Sequence, residues 1–269
     1  MSSDAAFTGS IPQHYDQGLG PLIFADYAAD IARRAATGNP KRVLETAAGT
    51  GIVTRALRDA LPAGTRLTAT DLNPPMLEIA RGKFRAGEKV EFQPADALAL
   101  PFQDASFDAV VCQFGVMFYP DKDKSYREVF RVLAPGGRYL FNVWDAHRHN
   151  PFGRIAHDVA GSFFPADPPQ FYKVPFSYAQ IDPIKEALTE AGFTGITISV
   201  VKLEKEIPDP DAFARGIVYG NPLIEQIRAR GGEPEKVHAA VVKKLRAEFG
   251  ADPGRMPLQA IVFEAKKKG

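Results

Sequence analysis

The stretch VLETAAGTGIVTRAL, Val43 to Leu57, constrains this chain more than any other. A short apolar run, long enough for one buried strand, leads into two glycines, Gly49 and Gly51. Val53, Ala56, Leu57, Ala60 and Leu61 then fall at i, i+3, i+4, i+7 and i+8, one face of an amphipathic helix that Pro62 and Gly64 end. A strand that turns on glycines into a helix forms an anion- or nucleotide-binding corner in parallel sheets.

The rest of the chain supplies such a sheet. Apolar residues at Ile23, Tyr27 and Ile31 predict a first helix. Strands are expected at KRVLETA, RLTATD, KVEFQPAD, FDAVVCQF, RYLFNVW, TGITISVVKLEKEI and LQAIVFEAKK. Helices are expected between them. One opens on Pro74-Pro75 and carries Leu77, Ala80 and Phe84 inward. Another presents Tyr126, Val129, Phe130 and Leu133 and stops at Pro135-Gly136-Gly137, and a third spans IDPIKEALTEAGF. Strand–helix alternation implies a doubly wound, mostly parallel α/β sheet whose strand ends meet the ligand along one edge.

Two segments break the alternation, and loops of that length in a compact domain are usually functional. Residues 41–145 are expected as the cofactor core, 179–207 as its continuation and 256–269 as the last strand and tail. Residues 1–40, 146–178 and 208–255 are expected as a helical cap over the crevice, with a surface between two copies of the chain as the alternative reading. The last of these carries two predicted helices, DAFARGIVYGNPLIEQIRARG and PEKVHAAVVKKLRAEFG.

Charge and composition remove several function classes. The 33 Lys and Arg residues against 32 Asp and Glu leave no overall pull toward nucleic acid. The basic run Lys266–Lys268 is read as a solvated tail. No apolar run of about 18 residues predicts a membrane span, and the first residues lack a secretory pattern. The single cysteine, Cys112, excludes an internal disulfide and suits a reducing cytoplasm.

Which nucleotide the corner holds is decided by its neighbours. A phosphate loop needs a lysine after the second glycine, and Ile52-Val53-Thr54 offers none. A dinucleotide site wants a third very small residue where Thr54 stands, which weakens that reading. Asp71, at the end of the second strand, can bond a ribose diol in either remaining class. The segment PADALALPFQDASFDAVVCQF, followed by VLAPGG, separates them. It resembles the class I adenosylmethionine-dependent methyltransferases, in particular the small-molecule group around the ubiquinone and menaquinone biosynthesis C-methyltransferases. The resemblance covers roughly residues 40 to 145 and implies a seven-stranded Rossmann-like sheet with a final antiparallel strand.

The resemblance implies roles position by position. Glu45 would orient the methionine amino group, and Thr46, Ala47, Gly49 and Gly51 would bring the turn's backbone to the methionyl part and ribose. Asp71 would hold the ribose diol, and Leu72 and Met76 would sandwich the adenine. Asp96 and the N–H of Ala97 would bond the adenine edge, and Gln113 would face the methionine end. Tyr15 would close over the cofactor, with a ring packed beneath the cap as the alternative. Ala47-Ala48 stands where the family often has Gly-Cys or Gly-Ser.

Methyl transfer from a sulfonium is an in-line displacement in which the protein mainly supplies alignment, worth ~7–11 kcal/mol of barrier. A base is needed only when the nucleophile carries a proton at neutral pH. His147 and His149, following the fifth strand, are the candidates, with ordinary solvated loop histidines as the alternative. The histidines lack metal-ligand spacing. Aromatic residues concentrated between Phe152 and Tyr178 imply a small, apolar, aromatic acceptor. A nicotinamide oxidoreductase and a non-catalytic cofactor-binding protein remain as alternatives.

Overall fold

The computed structural model describes residues 5–250 and 253–269. The expected N-terminal and second cap segments include residues 1–4 and 251–252, which lie outside the described residues. In chain order the elements are α1 (Ile11–His14), a π-helix (Tyr15–Phe24), α2 (Ala25–Ala36), β1 (Arg42–Glu45), α3 (Ile52–Ala60), β2 (Arg66–Asp71) and α4 (Pro74–Arg81). There follow β3 (Val90–Pro94), β4 (Phe107–Gln113), α5 (Lys122–Val132), β5 (Leu133–Trp144), α6 (Pro151–Ser162), α7 (Ile181–Glu190) and β6 (Phe193–Ile207). Then come α8 (Pro210–Tyr219), α9 (Leu223–Ala229), α10 (Pro234–Phe249) and β7 (Gly254–Lys267).

All seven expected strands form one sheet, in the order β3-β2-β1-β4-β5-β7-β6. It is mostly parallel, with antiparallel strands. The pairs β1–β2, β1–β4, β2–β3 and β4–β5 are parallel. The strand order reverses at β1, between β2 and β4, so the Gly49–Gly51 turn leaves the sheet where parallel sheets bind ligands.

The chain divides into two compact units. One comprises Asp26–Val143, Ala179–Val200 and Ile261–Gly269. In it, Ala28, Ile31, Ala32 and Ala35 of α2 and Val53 and Leu57 of α3 pack with Val43, Leu67, Ala109, Val111 and Leu140 from the strands. The four-residue spacing of the helix positions puts them on one face, and full burial of a leucine such as Leu57 contributes about 1.5–3 kcal/mol. Tyr139, Phe141 and Phe263 form a second, aromatic cluster, with ring centroids 4.8 and 4.9 Å apart along the stack.

The Pro135-Gly136-Gly137 turn departs from expectation. It does not follow the helix as a separate stop, because α5 already ends at Val132 and β5 begins at Leu133. Phe107 pairs with Leu133 and Ala109 with Arg138, so the three residues form a bulge inside the strand. Phe84 also departs, lying beyond the end of α4.

The other unit comprises the chain up to Ala25, Trp144–Tyr178 and Val201–Ala260. The ten-residue π-helix within it was not legible as periodicity, since a π-turn carries no 3.6-residue stripe. Its Gly18 lies against Gly216 of α8, where a Cβ on Gly18 would stand 2.6 Å from the Gly216 Cα. Pro222 helps divide the expected long helix after residue 208 into α8 and α9. α6 lies in the 146–178 cap segment, within which no individual helix was delimited from the sequence.

Candidate functional site

The β1 turn is fixed from both sides. Thr46 donates its N–H to the Val111 carbonyl of β4, and Ala48 donates to the Thr70 carbonyl of β2, each at 2.9 Å. Gly51 closes the turn onto the Ala48 carbonyl at 3.0 Å. Ala47, Gly49 and Gly51 all have positive φ, at 53°, 55° and 81°. Alanine is strained at such a φ, whereas glycine is not.

The two glycines do different work. A Cβ on Gly49 would meet only the Met76 methyl, at an ordinary 3.5 Å, so one side of the turn stays open beside Met76. A Cβ on Gly51 would stand 2.7 Å from the Ala80 Cβ and 3.0 Å from its Cα, so Gly51 also serves close packing of the turn on α4.

Asp71 ends β2 beneath this turn. One carboxylate oxygen accepts the Gly49 N–H and the other the Asn73 N–H, each at 2.8 Å. Burial raises its pKa above the usual carboxylate range, and the Asn73, Gly49 and Leu72 amides hold it partly down. Asp71 thus ties the first turn to the second, and Leu72, half-buried, continues the chain toward Met76.

Glu45 is the least satisfied group of the region. It is 1% exposed, and its Oε2 has no hydrogen-bond partner. Burial pushes its carboxyl up to about 8, the neighbouring Thr54 hydroxyl lowers it and the Asp71 carboxylate raises it. The Thr50 and Thr54 hydroxyls are likewise buried without a regular hydrogen bond. Buried polar atoms normally find partners. A cluster of orphans on residues 45–54, beside a turn open at Gly49, fits a ligand that brings donors and positive charge. The ammonium and ribose of adenosylmethionine meet that requirement.

The β4 side carries residues that sequence reasoning missed. Gln113 accepts from the Asn142 amide at 3.2 Å, and Asn142 also accepts the Phe114 N–H at 3.0 Å. The Tyr119 hydroxyl lies 3.4 Å from both Thr46 Oγ1 and Cys112 Sγ, bridging β1 to β4. Thr46 Oγ1 therefore accepts from a tyrosine hydroxyl within the protein. Asp96 is exposed, and its carboxylate accepts the Leu98 N–H at 2.9 Å with Ala97 in the same turn.

The LPF-x-D run proves to be a clamped loop. Arg131 of α5 donates to the Leu100 and Phe102 carbonyls at 2.9 and 2.7 Å and to Asp104 at 2.8 Å. Glu128 accepts the Leu100 N–H at 2.8 Å. Asp108 accepts the N–H groups of Lys41 and Arg42, each at 2.9 Å, fastening β4 to the start of β1.

The remaining candidates lie in the other unit. Tyr15 stacks on Phe24 with ring centroids 5.0 Å apart. His147 shares a 3.0 Å hydrogen bond through Nε2 with the Tyr172 carbonyl, lies 4.5 Å from the Phe176 ring, and has its pKa lowered by burial. His149 accepts from Arg148 Nε at 2.8 Å, which occupies the Nε2 lone pair a base would use. Phe152, Phe171, Tyr172, Phe176 and Phe213 are all buried, so these aromatics are first of all the core of their own unit. Among the described residues no group of three metal-ligating side chains occurs, and no helix is long and apolar enough to cross a membrane.

A family model for a methyltransferase domain matches residues 44–141. A ubiquinone/menaquinone biosynthesis C-methyltransferase, UbiE, of Escherichia coli O1:K1 / APEC is 31% identical over 184 residues, 61% of this chain and 72% of that protein. The chain belongs to the class I methyltransferases. A demethylmenaquinone methyltransferase of Thermus thermophilus is 48% identical over 129 residues, 48% of this chain and 57% of the relative. The chain spans about half the length of the demethylmenaquinone methyltransferases it matches. Among solved methyltransferase-fold structures, phosphoethanolamine N-methyltransferase 2 of Haemonchus contortus, in complex with S-adenosyl-L-methionine, is 18% identical with a TM-score of 0.62, covering 96% of this chain and 57% of that one. The YcgJ protein of Bacillus subtilis is 21% identical with a TM-score of 0.59, covering 91% and 99%. These likenesses concern the methyltransferase fold.

Proposed function

We propose that this protein binds S-adenosylmethionine at the β1 turn and transfers its methyl group to a small apolar acceptor with an aromatic or quinol ring. The observation that carries the reading is the buried, unpartnered Glu45 carboxyl beside the open, left-handed turn. When bound, adenosylmethionine supplies a methyl group on a sulfonium leaving group. Glu45 would take the cofactor's amino group. Asp71 would accept the ribose hydroxyls: Oδ2 keeps a lone pair beyond its bond from the Gly49 N–H, and at Oδ1 a hydroxyl would displace the Asn73 side-chain amide, now at 3.3 Å. Met76 and Leu72 would flank the adenine, with Asp96 and the Ala97 N–H at its edge. Thr46, Ala47, Gly49 and Gly51 shape the turn, and Gln113 would lie at the methionine end.

Methyl transfer breaks the carbon–sulfur bond as the bond to the acceptor forms, with the electron pair left on sulfur and the acceptor's proton passing to solvent. The protein's share is alignment and exclusion of water. The unit that holds His147, His149 and Tyr15 would choose the acceptor; His149 would need Arg148 displaced before acting as a base, whereas His147, donating through Nε2 to the Tyr172 carbonyl, keeps its Nδ1 lone pair. The names of the curated relatives favour a quinol-type ring. A cytoplasmic setting suits the buried free thiol of Cys112. A homodimer is compatible with this reading. The nicotinamide alternative is disfavoured by Thr54, whose fully buried side chain fills the position where a dinucleotide corner needs a very small one.

Calorimetric titration of the purified protein with adenosylmethionine, adenosylhomocysteine and NAD tests the cofactor. Binding of the first two and not of NAD is expected, and preference for NAD overturns the reading. Mass detection of methylated products across a phenol and quinol panel tests the transfer.

A further inference from the structure

Among the described residues no cation pairs with Glu45. It ends β1, and the elements packed around it are β2, β4 and α3. From β2 comes Asp71, an acid. From β4 comes Val111, the apolar residue paired with Glu45, while the Cys112 thiol and the Tyr119 phenol meet Thr46 on the opposite face of the strand. From α3 comes the Thr54 hydroxyl, while the arginines of that helix are engaged elsewhere. Arg55 pairs with Asp59 and Glu88. Arg58 donates to the carbonyls of Leu61, Pro62 and Thr65. An ionised carboxylate with an orphan oxygen cannot persist in such a place without an incoming charge.

We infer that ligand binding at the β1 turn is proton-linked: a ligand that brings an ammonium group to Glu45 expels the proton this carboxyl carries in the free protein, so the site selects amino-acid-bearing nucleosides by charge. The inference rests on the proposed cofactor reading and adds to it a requirement on charge and pH.

The linkage has a definite sign. In the free protein the Glu45 carboxyl is pushed up to about 8 and is mostly protonated at pH 7. The amino group of a free amino acid, beside its own carboxylate, titrates above the peptide value of about 7.7–8.0 and is charged at pH 7. The complex contains carboxylate and ammonium, so binding at pH 6.5 releases close to one proton. At pH 9.5 the carboxyl is already ionised and the free amine is partly neutral, so binding takes up protons. Net exchange passes through zero between the two pKa values, where affinity is greatest. One linked proton changes affinity by about tenfold per pH unit on either side.

The test is calorimetry of the full chain at pH 6.5, 8 and 9.5, each in two buffers of different ionisation enthalpy. The probes are adenosylhomocysteine and methylthioadenosine, a related nucleoside without the amino acid. Expected are release at pH 6.5, smaller release at pH 8 and uptake at pH 9.5 for adenosylhomocysteine, and no exchange for methylthioadenosine. Glu45→Gln should bind adenosylhomocysteine without proton release at pH 6.5. Adenosylhomocysteine binding without proton release at pH 6.5, or with the same exchange as methylthioadenosine, overturns the linkage and leaves the cofactor reading standing. Failure of adenosylmethionine and adenosylhomocysteine to bind at any pH removes the cofactor reading itself. The wild-type comparison decides the matter even where the Gln variant folds poorly.

Discussion

Gly115 and Ala47 meet so closely that a Cβ on Gly115 would stand 2.5 Å from the Ala47 Cβ. The contact joins the loop after β4 to the turn after β1. The same added methyl would lie 2.8 Å from Cys112 Sγ. Gly115→Ala is therefore expected to lower stability by about 1–3 kcal/mol, as overpacking does. It should also weaken adenosylmethionine binding by moving the turn. Ala47→Gly should restore part of both losses, and denaturant melts with parallel titrations read the rescue.

Alone, Ala47→Gly has opposing effects. It relieves an alanine held at φ 53°, worth roughly 1–2 kcal/mol, and frees the unfolded chain, worth about 0.4–1 kcal/mol in the other direction. The expected result is a small gain in denaturation midpoint. A loss above 1 kcal/mol in the urea melt would contradict the strain assigned to this residue.

Gly51→Ala should act on the fold before it acts on the ligand, because the new Cβ meets Ala80. A lowered melting temperature without ligand is expected. Ala80→Gly should recover part of it, since one of the two colliding atoms is removed. An unchanged melting temperature would return Gly51 to the role of a ligand contact.

Asp71→Ala removes the acceptor for two backbone N–H groups, of Gly49 and Asn73. Leaving buried donors unpaired costs about 1–3 kcal/mol each. Stability and cofactor affinity should fall together. A loss of affinity with stability intact would show that Asp71 acts on the ribose alone.

The ligand-free protein should lose stability as pH rises from about 5 to 8. Glu45 has a folded pKa of about 8 against an ordinary 4.5, so the folded state binds its proton more tightly than the unfolded state does. The stabilisation is complete below the ordinary value and is lost as pH climbs through the folded one. Burial of Asp71 acts in the same direction. Thermal melts of wild type and Glu45→Gln across this window check it, and the variant should show the shallower slope.

Much of the core was legible because its signals are local. Val43, Gly49, Gly51 and Asp71 lie in one strand–helix–strand unit, and short apolar runs marked each strand. What the sequence concealed depends on partners far along the chain. Arg131 reaches Asp104 across 27 residues, Asn142 reaches Gln113 across 29, and Tyr119 reaches Thr46 across 73. No periodicity reports such pairings. The packing of Gly51 on Ala80 of the following helix was likewise hidden, because it depends on where α4 lies. The histidines after β5 could be placed by sequence, whereas their hydrogen-bond partners could not.

The strand order has a consequence for biosynthesis. β6 has β7 as its neighbour in the sheet, yet Phe193–Ile207 is made before Gly254–Lys267. While the intervening segment is translated, β6 has no strand to pair with. The sheet closes only when the later strand threads between β5 and β6, a long-range step that slows completion of the fold. Until then a long strand stands with both edges bare, a template for chaperones or for aggregation between nascent chains.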